Sequence, residues 1–351
     1  MKSSNAASAK SERAARPGSG GVTLHNVAKL AGVSAITVSR ALNQPGSLSP
    51  VTLARVRSAI ADSGYVPNLM AGALASNRSR LVAALVPTIA GPVFMETIEA
   101  LTETLAEAGC QLMLGQTGYQ TGNVGDREDA LLDAIIGRRP DGIVLTGVMH
   151  STEGRRRLHV CGIPIVETWD ITASPIDMVV GFSHIQAGAA AADFLYAQGY
   201  RRPGLLIATD ARALKRRHGF EARFAELGVP HIPALTVPAP SLLANGRWSF
   251  AELRRLHPDI DAVFCGSDMI AHGVITEAQA TGLSIPGEVA VMGFGDMPFA
   301  AHTYPPLTTI HIDGRAIGQQ AARFILERAD KRDVGPLVRD VGFSIVKRAS
   351  A

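Results

Sequence analysis

From residue 81 onward, short and almost entirely apolar segments alternate with longer amphipathic ones. The apolar segments include LVAALVP, CQLMLGQ, GIVLTG and IPIVET, and FMETIEALTETLAEAG is one of the stretches between them. After MVVGF the alternation resumes with GLLIAT, AVFCGS and VAVMGF. Strands that are apolar on both faces and alternate with helices are typical of parallel sheets covered by helices. We therefore predict that residues 81–351 form an α/β body of two doubly wound parallel-sheet lobes, with a ligand cleft where the strands end.

Residues 22–66 have a different pattern, which predicts a small all-α head. Thr23 can cap a first helix, and Gly32 can supply the turn that follows it. Ser34 can cap a second helix, and Ser49 in SLSPVTLARVRSAIADSGY can cap a third. Three short helices with a glycine turn between the first two are typical of a helix-turn-helix module. A generic three-helix bundle is the alternative interpretation.

The second helix of the head has short and hydroxyl-bearing side chains on its outward face: Ala35, Ile36, Thr37, Ser39 and Arg40. Hydroxyl groups of this length reach phosphates or base edges, and an arginine can donate two hydrogen bonds to guanine O6 and N7. Ala35 and Ile36 either contact thymine methyl groups or pack within the head. This composition predicts a helix that enters the major groove of DNA.

Residues 67–80 are predicted to form a short hinge helix and a linker. The helix begins near Asn68 and ends near Ser76, and it is too short to be stable alone. Leu74 projects an apolar side chain, and such wedges can enter a minor groove between base steps. Packing of Leu74 in a protein core is an equally good interpretation of the sequence.

Charge is distributed unevenly along the chain. Residues 1–80 carry ten basic and two acidic side chains, so the other 271 residues carry a net charge of −5 against a total of +3. Residues 1–21 are rich in Ser, Ala, Gly and basic residues and lack an apolar signal segment, so we predict a disordered basic leader. A basic front end on an acidic body indicates a polyanionic partner, or otherwise a solvated basic surface.

Motifs for catalysis are missing from the sequence. There is no G-x-x-x-x-G-K-[ST] or H-E-x-x-H pattern, and MGFGDM holds only the G-x-G part of a dinucleotide fingerprint. The three cysteines are widely spaced and fit buried thiols in a reducing compartment. No uncharged apolar run is long enough to span a membrane. We expect no enzyme activity, no cofactor, no metal, no membrane partner and a cytoplasmic location.

The segment DARALKRRHGF is predicted to begin a helix after the strand GLLIAT. Arg212, Lys215 and Arg216 share one helix face, and arginines on such a face can bind a carboxylate or phosphate. The alternative is a solvated basic helix, which we favour for Lys215 and Arg217. Phe94 can stack on a ligand or pack in the core.

TLHNVAKLAGVSAITVSRALN followed by GYVPNLMAGALASNRS resembles the lactose-repressor/galactose-repressor family of bacterial transcription regulators, and the resemblance covers about residues 22–346. It implies a body of the periplasmic-binding-protein-like type, with the chain crossing between the lobes near residues 182, 312 and 335. It also implies a homodimer whose recognition helices bind a palindromic operator, with Leu74 wedged into the central minor groove. The chain ends at VGFSIVKRASA with no leucine heptads beyond, so we expect a dimer and no helical tetramerisation tail. The predicted DNA-binding residues are Thr23, Ser34, Ala35, Ile36, Thr37, Ser39, Arg40, Asn43, Tyr65, Asn68 and Leu74.

LGQTGYQ, PIVETWD, MVVGFSH and DARALKRRHG look most like the gluconate-responsive, sugar-acid branch of this family. The resemblance implies that Arg216, three residues before Gly219, contacts the effector. Where sugar-binding relatives carry a carboxylate, this chain has Gly295, which favours an anionic ligand. We expect gluconate, 2-ketogluconate, or a close hexonate or its phosphate. The predicted effector-binding residues are Phe94, Thr146, Arg212, Arg216, Trp248, Ser267 and Asp268. Capping of the next helix is the alternative role for Asp268.

These features together predict a repressor, associated with the bacterial nucleoid, that closure of the lobes around a sugar acid releases from double-stranded operator DNA. Within the same family, a neutral-sugar effector, a co-repressor or an activator mode gives the same sequence signals. A sugar-binding transport protein is the alternative from another class, and it would have a secretion signal in place of the head.

Overall fold

A computed structural model describes residues 22–66, 78–89, 92–118, 124–147 and 151–351, with the side chains of residues 124–127 left aside. The predicted leader and the predicted hinge helix, with Asn68 and Leu74, lie outside these residues. The chain divides into two compact units, and the boundary between them falls between residues 77 and 78. No helix in the described ranges is both long and apolar enough to cross a lipid bilayer.

The first unit contains the three predicted helices, and each begins at a residue whose side chain caps it. They are α1 (Leu24–Ala31), α2 (Ala35–Asn43) and α3 (Pro50–Ser63). The side-chain oxygens of Thr23, Ser34 and Ser49 accept hydrogen bonds from backbone amides of the first turns. Gly32 takes the left-handed conformation, with φ of 62°, which ends α1 and turns the chain into α2. The unit has its own small core, which includes Val27, Val38 and Val56.

The second unit is an α/β body with two parallel sheets. Its described strands are β1 (Leu81–Val86), β2 (Gln111–Gln116), β3 (Gly142–Thr146), β4 (Ile165–Thr168), β5 (Met178–Gly181), β6 (Pro203–Ala208), β7 (Ala234–Val237), β8 (Ala262–Cys265), β9 (Ala290–Met292), β10 (Thr309–His311), β11 (Val338–Asp340) and β12 (Ser344–Val346). Its described helices are α4 (Met95–Glu107), α5 (Val124–Ile136), α6 (Thr152–Val160), α7 (His184–Ala197), α8 (Ala211–Glu226), α9 (Leu243–Leu256), α10 (Asp268–Ala280) and α11 (Gly314–Ala329).

Each sheet belongs to one lobe. Among the described residues, the first-lobe sheet has the strand order β11-β5-β4-β3-β1-β2, and the second-lobe sheet has the order β7-β6-β8-β9. Both sheets are parallel, whereas β10 and β12 form a separate antiparallel pair. The predicted fold class is confirmed.

The side chains of β1 point alternately to the two faces of the sheet, and both faces are buried, so the strand is apolar throughout. Val82 and Ala84 face one hydrophobic cluster, whereas Ala83 and Leu85 face a second cluster on the other side of the sheet. Neighbouring side chains of a strand point to opposite faces, so a sheet covered on both sides needs apolar residues at every position. The apolar runs of the sequence therefore indicate parallel strands that are buried on both faces.

The chain passes between the lobes three times. It crosses after β5, near residue 182, and again after β10, near residue 312, as predicted. The prediction of a third crossing near residue 335 is wrong, because β11 still pairs with β5 in the first-lobe sheet. The chain leaves that lobe only after Asp340, and β12 then pairs with β10.

Candidate functional site

A cleft lies between the two sheets, where strands of both lobes end. Its empty space is about 760 Å³, including solvent at its mouth. The first lobe contributes Thr88, Pro92, Val93, Phe94 and Trp169. The remaining lining residues, which follow the first crossing, are His184, Ala208, Asp210, Arg212, Arg216, Ala239, Pro240, Ser241, Gly266, Ser267, Met269, Phe294 and Met297.

Aromatic rings form much of the wall of the cleft. Phe94, which precedes α4, and Trp169, which follows β4, are buried, and their rings meet edge to face with centroids 5.2 Å apart. Phe294, which follows β9, is also buried and lies on the second-lobe side. Rings in this arrangement can cover the C–H face of a ligand. The cleft therefore combines an apolar wall with a few charged and hydroxyl groups.

Arg216 is fixed in place by neighbours on three sides. Its side chain is buried, and its Nη2 donates to the carbonyl oxygen of Gly266 at 2.9 Å. Its Nη1 lies 2.9 Å from His184 Nδ1, and its Cζ lies 3.9 Å from the centroid of the Phe294 ring. Because these contacts determine the orientation of the guanidinium plane, Arg216 presents a preformed surface to the cleft.

His184 is the first residue of α7 and is only 2% exposed. Burial, and then the nearby positive charges of Arg216 and Arg212, hold the pKa of its imidazole well below the ordinary value. The neutral ring accepts a hydrogen bond from Arg216 at Nδ1, so its Nε2 carries the proton and donates to the Trp169 carbonyl oxygen at 2.8 Å. His184 thus adds no positive charge to the cleft.

Arg212 differs from Arg216 in its hydrogen bonds. Its Cζ lies 5.2 Å from the centroid of the Phe94 ring. Its Nη1 is buried, yet it has no hydrogen-bond partner among the described residues. A buried donor without an acceptor costs about 1–3 kcal/mol, so a ligand oxygen placed here would gain the difference. Asp210, which caps α8 by accepting from the Ala213 amide, brings one negative charge to the same cleft.

The cleft brings together some of the predicted effector-binding residues but not others. Phe94, Arg212, Arg216 and Ser267 line it, and Ser267 also caps α10 and hydrogen-bonds Ser241. Three predicted residues lie outside its lining, each held by other surroundings. Thr146 is buried against Thr168, Trp248 is half exposed on α9, and Asp268 is fully buried.

Asp268 takes part in the structure beside the cleft. Its carboxylate accepts hydrogen bonds from the Met297 amide and the Thr309 hydroxyl. Burial raises the pKa of this carboxyl to about 6, although both hydrogen bonds oppose the rise. Helix capping is performed by its neighbour Ser267.

The lining residues that were not predicted include Trp169, His184, Asp210, Ser241 and Phe294. Trp169, Asp210 and Phe294 closely follow the ends of β4, β6 and β9, which is the position where ligands of parallel sheets bind. That position was the available sequence signal. Of the predicted basic face, Lys215 does not join the arginines in the cleft but pairs with Asp170 of the first lobe. Within the described residues, no cluster of His, Cys, Asp and Glu is arranged to hold a metal ion.

In the head, α2 exposes part of the predicted DNA-binding set. Ile36 is 66% exposed, and Arg40 and Asn43 are also exposed. Thr37 hydrogen-bonds the capping residue Ser34, and the Asn43 side chain donates to the Ser39 carbonyl. Among the remaining members, Thr23 caps α1, whereas Ala35 and Tyr65 are partly buried against the head core.

Comparisons with known proteins match both units. A model of the bacterial regulatory proteins of the lacI family matches residues 23–68, and a periplasmic binding protein-like domain matches residues 192–351. The HTH-type transcriptional regulator GntR of Pseudomonas aeruginosa is 37% identical over 331 residues, which cover 93% of this chain and 95% of that protein.

Two solved structures are similar over most of their length. One is a LacI-family transcriptional regulator from Silicibacter pomeroyi, with a TM-score of 0.86, 33% identity, and coverage of 94% of this chain and 99% of that one. The other is the transcription regulator GntR from Chromobacterium violaceum, with a TM-score of 0.73, 33% identity, and coverage of 77% and 98%. The relatives are regulators, not enzymes. This chain therefore belongs to the lacI family of bacterial DNA-binding transcriptional regulators.

Proposed function

We propose that this protein is a repressor that binds a palindromic operator as a homodimer and is switched by a small sugar acid such as gluconate or 2-ketogluconate. The observation that carries the proposal is the buried Nη1 of Arg212, which has no hydrogen-bond partner in the described part of the chain and lies next to the Phe94 ring in the cleft. The relatives of GntR type support the gluconate-responsive branch that the sequence resemblance implied. Such a repressor acts at the nucleoid, in the cytoplasm.

The charges of the cleft favour a monoanion with a hydroxylated chain. Arg212 and Arg216 contribute two positive charges and Asp210 contributes one negative charge, while His184 is neutral. A carboxylate fits the donor of Arg212, because guanidinium groups bind carboxylates through paired hydrogen bonds. The hydroxyl groups of Ser241 and Ser267 and the carboxylate of Asp210 are suitable partners for the hydroxyls of a sugar acid.

The head supplies the DNA contacts of the proposal. The exposed face of α2, with Ile36, Arg40 and Asn43, enters the major groove, and the capping residues Ser34 and Thr23 lie at the helix starts, where phosphates bind. Asn68 and Leu74 remain proposed contacts of the hinge with the minor groove. The effector changes operator binding only if it binds one arrangement of the lobes better than the other.

A neutral sugar is a second candidate, and Asp210 is the observation that favours it. A carboxylate in a cleft accepts hydrogen bonds from sugar hydroxyls, and it repels an anion that approaches closely. The two candidates predict different ligands for the same cleft, so they are separated by comparing a hexonate with the neutral hexose of the same carbon skeleton.

The experiment that tests the proposal is a thermal-shift titration with gluconate and with glucose, which has the same carbon chain without the charge. We expect gluconate to raise the melting temperature in a saturable manner, since a ligand that binds only the folded state stabilises it. Glucose at the same concentration should have little effect. Stabilisation by glucose alone would overturn the sugar-acid proposal and favour the neutral sugar.

A further inference from the structure

Four buried residues are linked by a series of hydrogen bonds that begins in the cleft and ends outside it, and Trp169 takes part through both its backbone carbonyl and its indole. The series runs from the Gly266 carbonyl to Arg216, His184, Trp169 and Thr97, and it ends at the Gly314 carbonyl. We propose that this series, the lobe relay, couples occupation of the cleft to the arrangement of the two lobes, with His184 and Thr97 as positioning residues. The inference rests on the proposed effector-switched function, and it specifies the residues through which binding in the cleft affects the lobes.

Each bond of the lobe relay has a determined direction. Arg216 donates to Gly266 O and to His184 Nδ1, both at 2.9 Å, and His184 Nε2 donates to Trp169 O at 2.8 Å. The Trp169 indole Nε1 then donates to Thr97 Oγ1 at 3.0 Å, and Thr97 Oγ1 donates to Gly314 O at 2.9 Å. The backbone carbonyl and the indole N–H of Trp169 are separate groups of one residue, so the two halves of the series are joined through the position of Trp169.

The relay contains residues from both lobes and residues that follow two of the crossings between the lobes. Arg216 and Gly266 belong to the second lobe, and His184 begins the helix that follows the first crossing. Trp169 and Thr97 belong to the first lobe, and Gly314 begins the helix that follows the second crossing. The bond from His184 to the Trp169 carbonyl joins the two halves, so movement of one lobe against the other acts directly on it.

Close helix contacts hold both ends of the relay rigid. A Cβ atom added to Gly188 on α7 would lie 2.0 Å from the Arg216 carbonyl oxygen on α8. A Cβ atom added to Gly318 on α11 would lie 2.4 Å from the Thr97 carbonyl oxygen on α4. Backbones that touch without intervening side chains leave little room for adjustment.

Trp169 has the backbone conformation expected of a strained functional residue. Its φ is 66°, in the left-handed region that bulky side chains rarely adopt. Its carbonyl bonds His184 and its indole N–H bonds Thr97 within the relay, while its backbone N–H donates to the Val180 carbonyl oxygen at 3.1 Å. Such a conformation persists only where surrounding contacts enforce it, and these three hydrogen bonds contribute to that enforcement.

Thr97 provides the decisive test because its side chain is buried but does not line the cleft. Thr97→Val removes the hydroxyl and keeps the shape, and Thr97→Ser restores the hydroxyl. Thr104→Val is a matched control on the same helix, since the Thr104 hydroxyl bonds only the Ala100 carbonyl of its own helix. The first readout is amide hydrogen exchange of ligand-free protein in residues 264–270, across the lobe boundary from Thr97.

In Thr97→Val we expect exchange in residues 264–270 to become about fivefold faster, the factor that corresponds to loss of one hydrogen bond. Thr97→Ser and Thr104→Val should exchange like the unmodified protein. A merely structural role of Thr97 would change exchange in α4 and α11 but not in residues 264–270, and that result would overturn the proposal. If Thr97→Val does not fold, Thr97→Ala, which also lacks the hydroxyl and adds no bulk, takes its place in the same measurement.

The second readout uses gluconate as the probe and a palindromic DNA fragment selected from random duplexes. In Thr97→Val the gluconate dissociation constant should stay within about twofold, whereas the gluconate-induced change in operator affinity should shrink about fivefold. An undiminished change would overturn the relay. If the unmodified protein does not respond to gluconate, the proposed effector fails, and the ligand-free exchange measurement still decides whether the relay exists.

Discussion

Replacing Arg212 with methionine should weaken effector binding without destabilising the unliganded protein. Methionine has a similar length and keeps apolar contact with the Phe94 ring, which lies 5.2 Å from the guanidinium carbon. It also removes Nη1, a buried donor without a hydrogen-bond partner among the described residues. An unsatisfied buried donor costs about 1–3 kcal/mol, so the free energy of unfolding should be equal to that of the unmodified protein or higher by up to that amount.

The effect on affinity should have the opposite direction. A hydrogen bond to a charged group contributes about 1.5–3 kcal/mol, so its loss should increase the gluconate dissociation constant by about 10- to 150-fold. Isothermal titration calorimetry with gluconate measures this change, and urea unfolding without ligand measures the stability. Higher stability of the unliganded variant together with lower gluconate affinity is characteristic of a residue whose buried donor is satisfied only by the ligand.

Arg216→Met is the informative comparison. Removal of the Arg216 guanidinium leaves the buried Gly266 carbonyl and His184 Nδ1 without their donor. We therefore expect a loss of stability of about 2–5 kcal/mol even without ligand. Arg217→Met is the control on the same helix, because Arg217 pairs with Glu221 at 2.8 Å and does not line the cleft. Unchanged gluconate affinity in Arg212→Met, or destabilisation as large as in Arg216→Met, would refute this assignment of the two arginines.

Two further predictions concern the head and the surroundings of the cleft. Arg40→Ala should reduce discrimination between the selected operator and a sequence with a changed guanine by about 1–3 kcal/mol in a competition titration, while Arg57→Ala, on α3, should weaken binding to both sequences equally. Asp268 has its pKa raised by burial to about 6, so the folded state holds this proton more tightly than the unfolded chain. Its contribution to stability is complete below about pH 4 and is lost as the pH rises through about 6, a change of about 3 kcal/mol. Denaturation curves should show this loss in the unmodified protein relative to Asp268→Asn, and parallel pH profiles of the two proteins would contradict it.

Local signals explain why the head could be predicted closely. A capping side chain and the amide that it binds are three residues apart, as for Thr23 with Asn26 and Ser34 with Thr37. A glycine that ends a helix acts through its own backbone angles, as Gly32 does. Signals of this range are contained in the sequence itself, so the start of the second helix after Ser34 was predicted correctly.

The third crossing was misplaced because its strand does not have an apolar sequence. The residues of β11, Val338–Asp340, are exposed at the edge of the first-lobe sheet, and their register is determined by pairing with β5. An edge strand needs only one neighbour and no cover on its outer side, so burial does not constrain its composition. Only the long-range pairing shows that the chain is still in the first lobe.

Only part of the cleft could be predicted, because the spacing of residues along a helix indicates the direction of each side chain but not the residues that it contacts. Residues four apart on a helix differ in direction by about 40°, whereas residues three apart differ by about 60° in the other sense. Arg212 and Arg216 therefore point to one side, and Lys215 lies about 100° from Arg216, where it meets Asp170. Trp169 and His184 depend on contacts between distant segments, which no local pattern contains.

The most direct test of the central claim is an operator titration of the full-length protein at fixed salt, with and without millimolar gluconate. Fluorescence anisotropy with the selected palindromic duplex gives the dissociation constant, and glucose serves as the neutral control. The account predicts that gluconate weakens operator binding by at least about tenfold while glucose leaves it unchanged, which corresponds to a coupling free energy of about 1.4 kcal/mol. Equal operator affinity in the presence and absence of gluconate, measured at concentrations that saturate the cleft, would contradict it.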